Sequence, residues 1–109
     1  MQEQTVTRDQ NLVELKNIIS HILPGSRIIL FGSRSRGDYD YKSDYDIVVV
    51  SDKSLDIKAK RRYASYIRKN LAALGIPADV LVKTETDVFY YKDKIGSVVR
   101  DAISNGVTL

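Results

Sequence analysis

The chain has 109 residues, 43% of them apolar and 28% charged, with a formal net charge of +3 and no cysteine. This excludes a disulfide framework and a thiolate metal centre, and no apolar run approaches the roughly 20 residues of a membrane span. What remains is a single-domain length, 1–109, with room for one modest core and none for a separate acceptor-binding domain. The polar start Met1-Gln2-Glu3-Gln4-Thr5 has neither the basic nor the apolar region of a signal peptide, so a cytoplasmic protein is expected.

Asp9 to Leu23 carries Leu12, Leu15, Ile18, Ile19 and Ile22 at helical spacing and stops at Pro24-Gly25, which predicts a first helix. Ser26 to Phe31 is a short apolar run between turn residues and reads as a strand; Gly32-Ser33 then opens a loop or a short turn of helix. Asp38 to Ser43 is polar loop. Tyr45 to Val50 is continuous and β-branched, the pattern of a central strand buried on both faces. Asp56 to Leu74 puts Ile57, Ala64, Ile67, Leu71 and Leu74 on one face and most of its basic residues on the other, an amphipathic helix ended by Gly75 and Pro77. Ala78 to Lys83 is a third strand. Thr84-Glu85-Thr86-Asp87 has capping-box spacing, and Ile95, Val98, Val99, Ala102 and Ile103 mark a final helix ending near Asn105-Gly106. The expected order is αβ(α)βαβα, an α/β (α+β) fold with a small mixed sheet of three main strands and flanking helices.

Asp44 and Asp46 stand two apart where the second strand begins, so they share one face while Tyr45 takes the other. Two converging carboxylates repel unless a cation neutralises them, and an oxygen-only donor set selects a hard ion, Mg²⁺, held together with substrate phosphates. Gly32 and Ser33 lie where the first strand ends. Glycine there lets backbone N–H groups approach an anion and the serine hydroxyl adds a donor, so a phosphate fits, with Arg34 and Arg36 as further charge. For these two places to meet, the first two strands must be antiparallel. A third strand parallel to the second then brings Asp79 to the same edge. Three acids can hold two ions, one carrying a triphosphate and one lowering the pKa of an attacking hydroxyl, with Asp79 placed to take its proton.

At Gly32-Ser33, Asp44-Tyr45-Asp46 and Asp79-Val80-Leu81-Val82, with Arg34-Ser35-Arg36-Gly37 behind the serine, the chain resembles the minimal nucleotidyltransferase (MNT) family of the DNA polymerase β-like superfamily. The signature is glycine-serine, ten residues, then aspartate-x-aspartate; Ser35, where alanine is frequent, is a small departure. The resemblance implies the nucleotidyltransferase fold and Mg²⁺-dependent transfer of a nucleoside monophosphate, with ATP as donor. It also implies a partner, since many stand-alone members act as antitoxin to a HEPN-domain toxin by adenylylating one of its tyrosines. The alternatives are a nucleotide-binding antitoxin that neutralises by contact alone, and a small-molecule transferase of the antibiotic-modifying type. Neither a membrane nor a nucleic acid is the expected partner.

Other residues carry less. Lys58, Lys60, Arg61, Arg62, Arg68 and Lys69 follow an acidic stretch and read first as a solvated helix face, second as a collector of anionic ligands. His21 near the end of the first helix reads as a packing residue. Tyr39 and Tyr41 flank the site in sequence, where a loop aromatic can stack on a base or touch a partner. Val88, Phe89, Tyr90 and Tyr91 are too dense for one helical face, so part of the cluster is core and part partner surface.

Overall fold

The computed structural model describes residues 9–37 and 43–109. Its centre is strand β2, Tyr45–Ser51, whose run of β-branched side chains is buried on both faces, as the continuous apolar pattern predicts. β1, Arg27–Phe31, pairs with it antiparallel, and β3, Ala78–Thr84, pairs with it parallel. The sheet is therefore mixed, with the order β3-β2-β1 and a short fourth strand, β4, Val107–Thr108, beyond β1.

One face is covered by helix α1, Gln10–Ile22, and helix α3, Ile57–Ala73. Leu15 and Ile19 of the first and Ile67 and Leu71 of the second pack on Ile28, Leu30, Tyr45, Ile47, Val49 and Val80. Each fully buried Leu or Ile contributes about 1.5–3 kcal/mol, which makes this face the main source of stability. Both helices start at an aspartate: Asp9 Oδ1 accepts from Asn11 N at 3.0 Å, and Asp56 Oδ1 from Ala59 N at 2.7 Å. The second face is smaller. Ile29, Val48 and Val50 meet Val88 of helix α4, Glu85–Tyr91, and Val99 and Ala102 of helix α5, Val98–Asn105.

The chain departs from the expected order in its last quarter. The single final helix is two helices, separated by a turn in which Gly96 has φ 86°. The Thr84–Asp87 capping box starts the first of them and Ser97 caps the second. Ile95 consequently lies in the turn at 90% exposure instead of on an apolar face. Ile57 and Leu74, at the two ends of α3, are also exposed, because the buried face spans Ala64 to Leu71 only. A fourth strand, β4, Val107–Thr108, pairs antiparallel with Ile29 and Leu30 of β1. Gly106 permits it: a Cβ there would lie 2.6 Å from Ile29 Cγ2 and 2.9 Å from the Leu30 carbonyl oxygen. Among the described residues no helix is long and apolar enough to cross a membrane.

Candidate active site

Strand alternation assigns Asp46 to the face of Val48 and Val50, opposite Tyr45, Ile47 and Val49. Its register neighbours are Phe31 at the end of β1 and Asp79 at the start of β3. Asp46 and Asp79 are thus side by side on adjacent parallel strands, and Asp44 precedes them on the same side. Asp44 and Asp79 are exposed and Asp46 is half-buried. Burial pushes the Asp46 carboxyl above the usual carboxylate range, the charges of Asp79 and then Asp44 push it further, and Arg36 opposes them. The three acids expected to converge are electrostatic neighbours.

The glycine turn presses against the same carboxylate. Gly32 has φ 73°, the left-handed region where a side chain is strained. A Cβ on it would run into Asp46 Oδ2 and lie 3.1 Å from Asp46 Cγ, so the close approach of turn and acid requires glycine. The Gly32 carbonyl accepts from Ser35 N, Arg36 N and Ser35 Oγ, which fixes the four-residue helix α2, Ser33–Arg36, behind it. Ser33, half-buried, is its first residue.

The two arginines of that helix part company. Arg36 is exposed, and its charge is felt at Asp46. Arg34 turns to the protein: Nε and Nη2 both donate to the Ser43 carbonyl, at 3.1 and 2.9 Å, and the guanidinium lies 4.1 Å over the Tyr45 ring. The Tyr45 hydroxyl in turn donates to Asp9 Oδ2 at 3.2 Å. Burial pushes this phenol above its ordinary value, which keeps it a donor. Arg34 therefore ties the turn to the residue before Asp44 and, through Tyr45, to the N-terminal cap of α1, contacts that the sequence did not suggest. The available signal was Tyr45: a tyrosine at a buried strand position needs a partner for its hydroxyl and offers a ring face to a cation.

Other candidates fall elsewhere. Tyr39 and Tyr41 lie outside the described residues. His21 lines a shallow groove between α1 and α3 with Tyr63 and Tyr66, on the opposite sheet face from the acids. Of the aromatic cluster, Val88 is core, whereas Phe89, Tyr90 and Tyr91 are exposed.

The donor set fits Mg²⁺. Among the described residues no three His, Cys, Asp or Glu side chains form a ready-made metal cage. Mg²⁺ does not ask for one, since it keeps waters and is bound through one or two carboxylates together with substrate phosphates. The half-buried Asp46, flanked by two acids and titrating high, is a group whose ionised form a divalent cation would relieve.

Comparison with known proteins gives the family. A nucleotidyltransferase domain model matches residues 12–107. A Methanocaldococcus jannaschii protein, provisionally named a protein adenylyltransferase, is 33% identical over 94 residues, covering 84% of this chain and 87% of its own. Among solved structures, a toxin-antitoxin with AMP-PNP superposes with a TM-score of 0.54 at 25% identity, over 93% of this chain and 71% of that one. A tri-AMPylated Shewanella oneidensis HEPN toxin in complex with its MNT antitoxin gives a TM-score of 0.54 at 22% identity, over 91% and 68%, a likeness of fold alone. The match runs through every element that brings acids and glycine turn together, and the chain belongs to the nucleotidyltransferase domain family, an enzyme of that kind.

Proposed function

We propose that the protein is a Mg²⁺-dependent adenylyltransferase that moves AMP from ATP onto a tyrosine hydroxyl of a HEPN-domain toxin in the cytoplasm, and so acts as that toxin's antitoxin. The observation that carries this is the seating of Asp46, packed under Gly32 and in register with Asp79. The relative named as a protein adenylyltransferase and the toxin-antitoxin structures support the protein acceptor.

Asp44 and Asp46 would hold the ion that accompanies the triphosphate, and Asp46 with Asp79 a second. Bound there, Mg²⁺ would offset phosphate charge and lower the pKa of the acceptor hydroxyl. The chain's own groups do the rest. Gly32 and Ser33 offer donors to the phosphates, and Arg36 adds positive charge beside Asp46. The acceptor oxygen bonds to the α-phosphorus, the bond from that phosphorus to the bridging oxygen breaks, and pyrophosphate leaves with the electron pair. The hydroxyl proton passes to the Asp79 carboxylate.

The test is co-expression with the toxin encoded nearest to this chain, followed by intact mass. Wild type should add one or more AMP to the toxin, and Asp44→Asn none. Asp79→Ala should bind ATP but not transfer it; a toxin silenced by that variant without gaining mass would replace the enzymatic reading with neutralisation by contact.

A further inference from the structure

The outer side of β3 is a long unpaired sheet edge among the described residues, while the far side of the sheet ends in the two-residue β4. Helices α3 and α4 rise on either face of the β3 edge and make it the floor of a groove of about 630 Å³. The β3 backbone at Val80 and Val82, whose side chains are buried in the core under α3, forms the floor, with Ala64 and Tyr91 beside it. Lys60, Arg61, Arg68 and Lys83 line the groove, and its one acid, Asp87, is paired with Lys60 at 2.8 Å. Arg68 Nη1 donates to the Val80 carbonyl at 3.4 Å, so this carbonyl faces outward from the sheet.

Charges often guard an edge strand against pairing. Guarding explains isolated lysines; it does not explain a ring and three cations, Arg61, Arg68 and Lys83, besides the paired Lys60 around a concave backbone edge. Asp79 is the second residue of β3, immediately before Val80, so the site lies at the start of the strand whose edge the groove follows.

We propose that this groove receives an extended acidic segment of the acceptor protein, which pairs with β3 as an added strand and brings its hydroxyl to Asp79. Main-chain hydrogen bonds to the edge give affinity, and acidic side chains against the two walls give selectivity. The proposal rests on the protein-acceptor reading above and assigns that acceptor its chemistry and its seat. A single-stranded nucleic acid would satisfy the cations and Tyr91 but leave the outward backbone of β3 unmatched, so the peptide is favoured.

The experiment needs no ATP and no transfer, which separates its failure from that of the adenylyltransferase reading. A fluorescein-labelled peptide of alternating Glu and Val, matched to the seven residues of β3 and ending in Tyr, is titrated with the wild-type chain. The same peptide with Lys for Glu and an oligouridylate are the comparisons. The Glu peptide should bind, the Lys peptide should not, and Arg61→Glu with Lys83→Glu should weaken binding about tenfold. Hydrogen exchange on the wild type should show the Val80 and Val82 amides slowed by the Glu peptide, a readout that stands even where the double variant does not fold. Equal binding of the two peptides, tighter binding of the oligouridylate, or unchanged exchange along β3 would each overturn the proposal.

Discussion

Arg34 shows how a residue chosen for its charge can serve by its shape. Two donors on one carbonyl and a ring under the guanidinium use the planar fork that lysine lacks. Arg34→Ala should therefore cost about 1.5–3 kcal/mol in urea unfolding and lower the transfer rate, with ATP affinity nearly unchanged. A variant of wild-type stability that has lost ATP affinity would return Arg34 to the phosphates. Asp46 gives a pH signature. Its carboxyl titrates above the ordinary value in the folded state, so ionising it works against the fold. Without metal, Asp46→Asn and wild type should unfold alike well below the ordinary aspartate value of about 3.9, and the variant should become the more stable as pH rises through that value toward the raised one. Asp87 runs the other way: burial raises it, but hydrogen bonds from Lys60 and the Thr84 backbone outweigh that, so its contribution is lost as pH falls. The comparison with Asp46→Asn removes that common background; a wild type that gains on the variant with rising pH would refute the assignment.

At the scale of elements, what was legible in the sequence followed from periodicity and from chemistry together. β2 announced itself by Ile47 to Val50, four consecutive β-branched residues of the kind a two-faced strand buries; the need for the Gly32-Ser33 turn to meet Asp44 and Asp46 dictated the antiparallel β1, and a crossover to a parallel β3 then brought Asp79 to the same edge. The end of the chain carried no comparable signal. The spacing of Val98, Val99, Ala102 and Ile103 did mark α5, but the two residues of β4 are too short for a period, and the apolar Ile95 imitated a helical position that Gly96 denies it. β4 depends on tertiary fit instead, through the missing side chain at Gly106. Gly106→Ala should therefore destabilise the protein by about 1–3 kcal/mol and speed amide exchange at Ile29 and Leu30, with the β3 amides little affected. Unchanged exchange on β1 would mean that β4 contributes nothing to holding that strand.

The whole molecule is organised so that its least self-sufficient part is the site. The face under α1 and α3 holds the larger core, whereas the face of the three acids carries the smaller cluster and leaves carboxylates of one sign beside one another. The glycine-serine turn and the aspartates were readable because their chemistry constrains spacing; the role of Arg34 and the β3 groove were not, because each arises from residues far apart in sequence that only the fold assembles. A ligand that joins the end of β1, α2, β2 and β3 must stabilise all four together by mass action. ATP at about a hundred times its Kd adds about 2.7 kcal/mol, enough to raise the melting temperature by several degrees in a chain of this size. That gain should require Mg²⁺, since without it the triphosphate meets Asp44, Asp46 and Asp79 as like charge. Thermal unfolding with ATP and Mg²⁺, with ATP and chelator, and with Asp44→Asn under both conditions tests the whole arrangement. The shift should appear for wild type with Mg²⁺, shrink sharply in chelator, and depend less on metal in the variant; an equal shift for wild type with and without metal would place the nucleotide away from the aspartates.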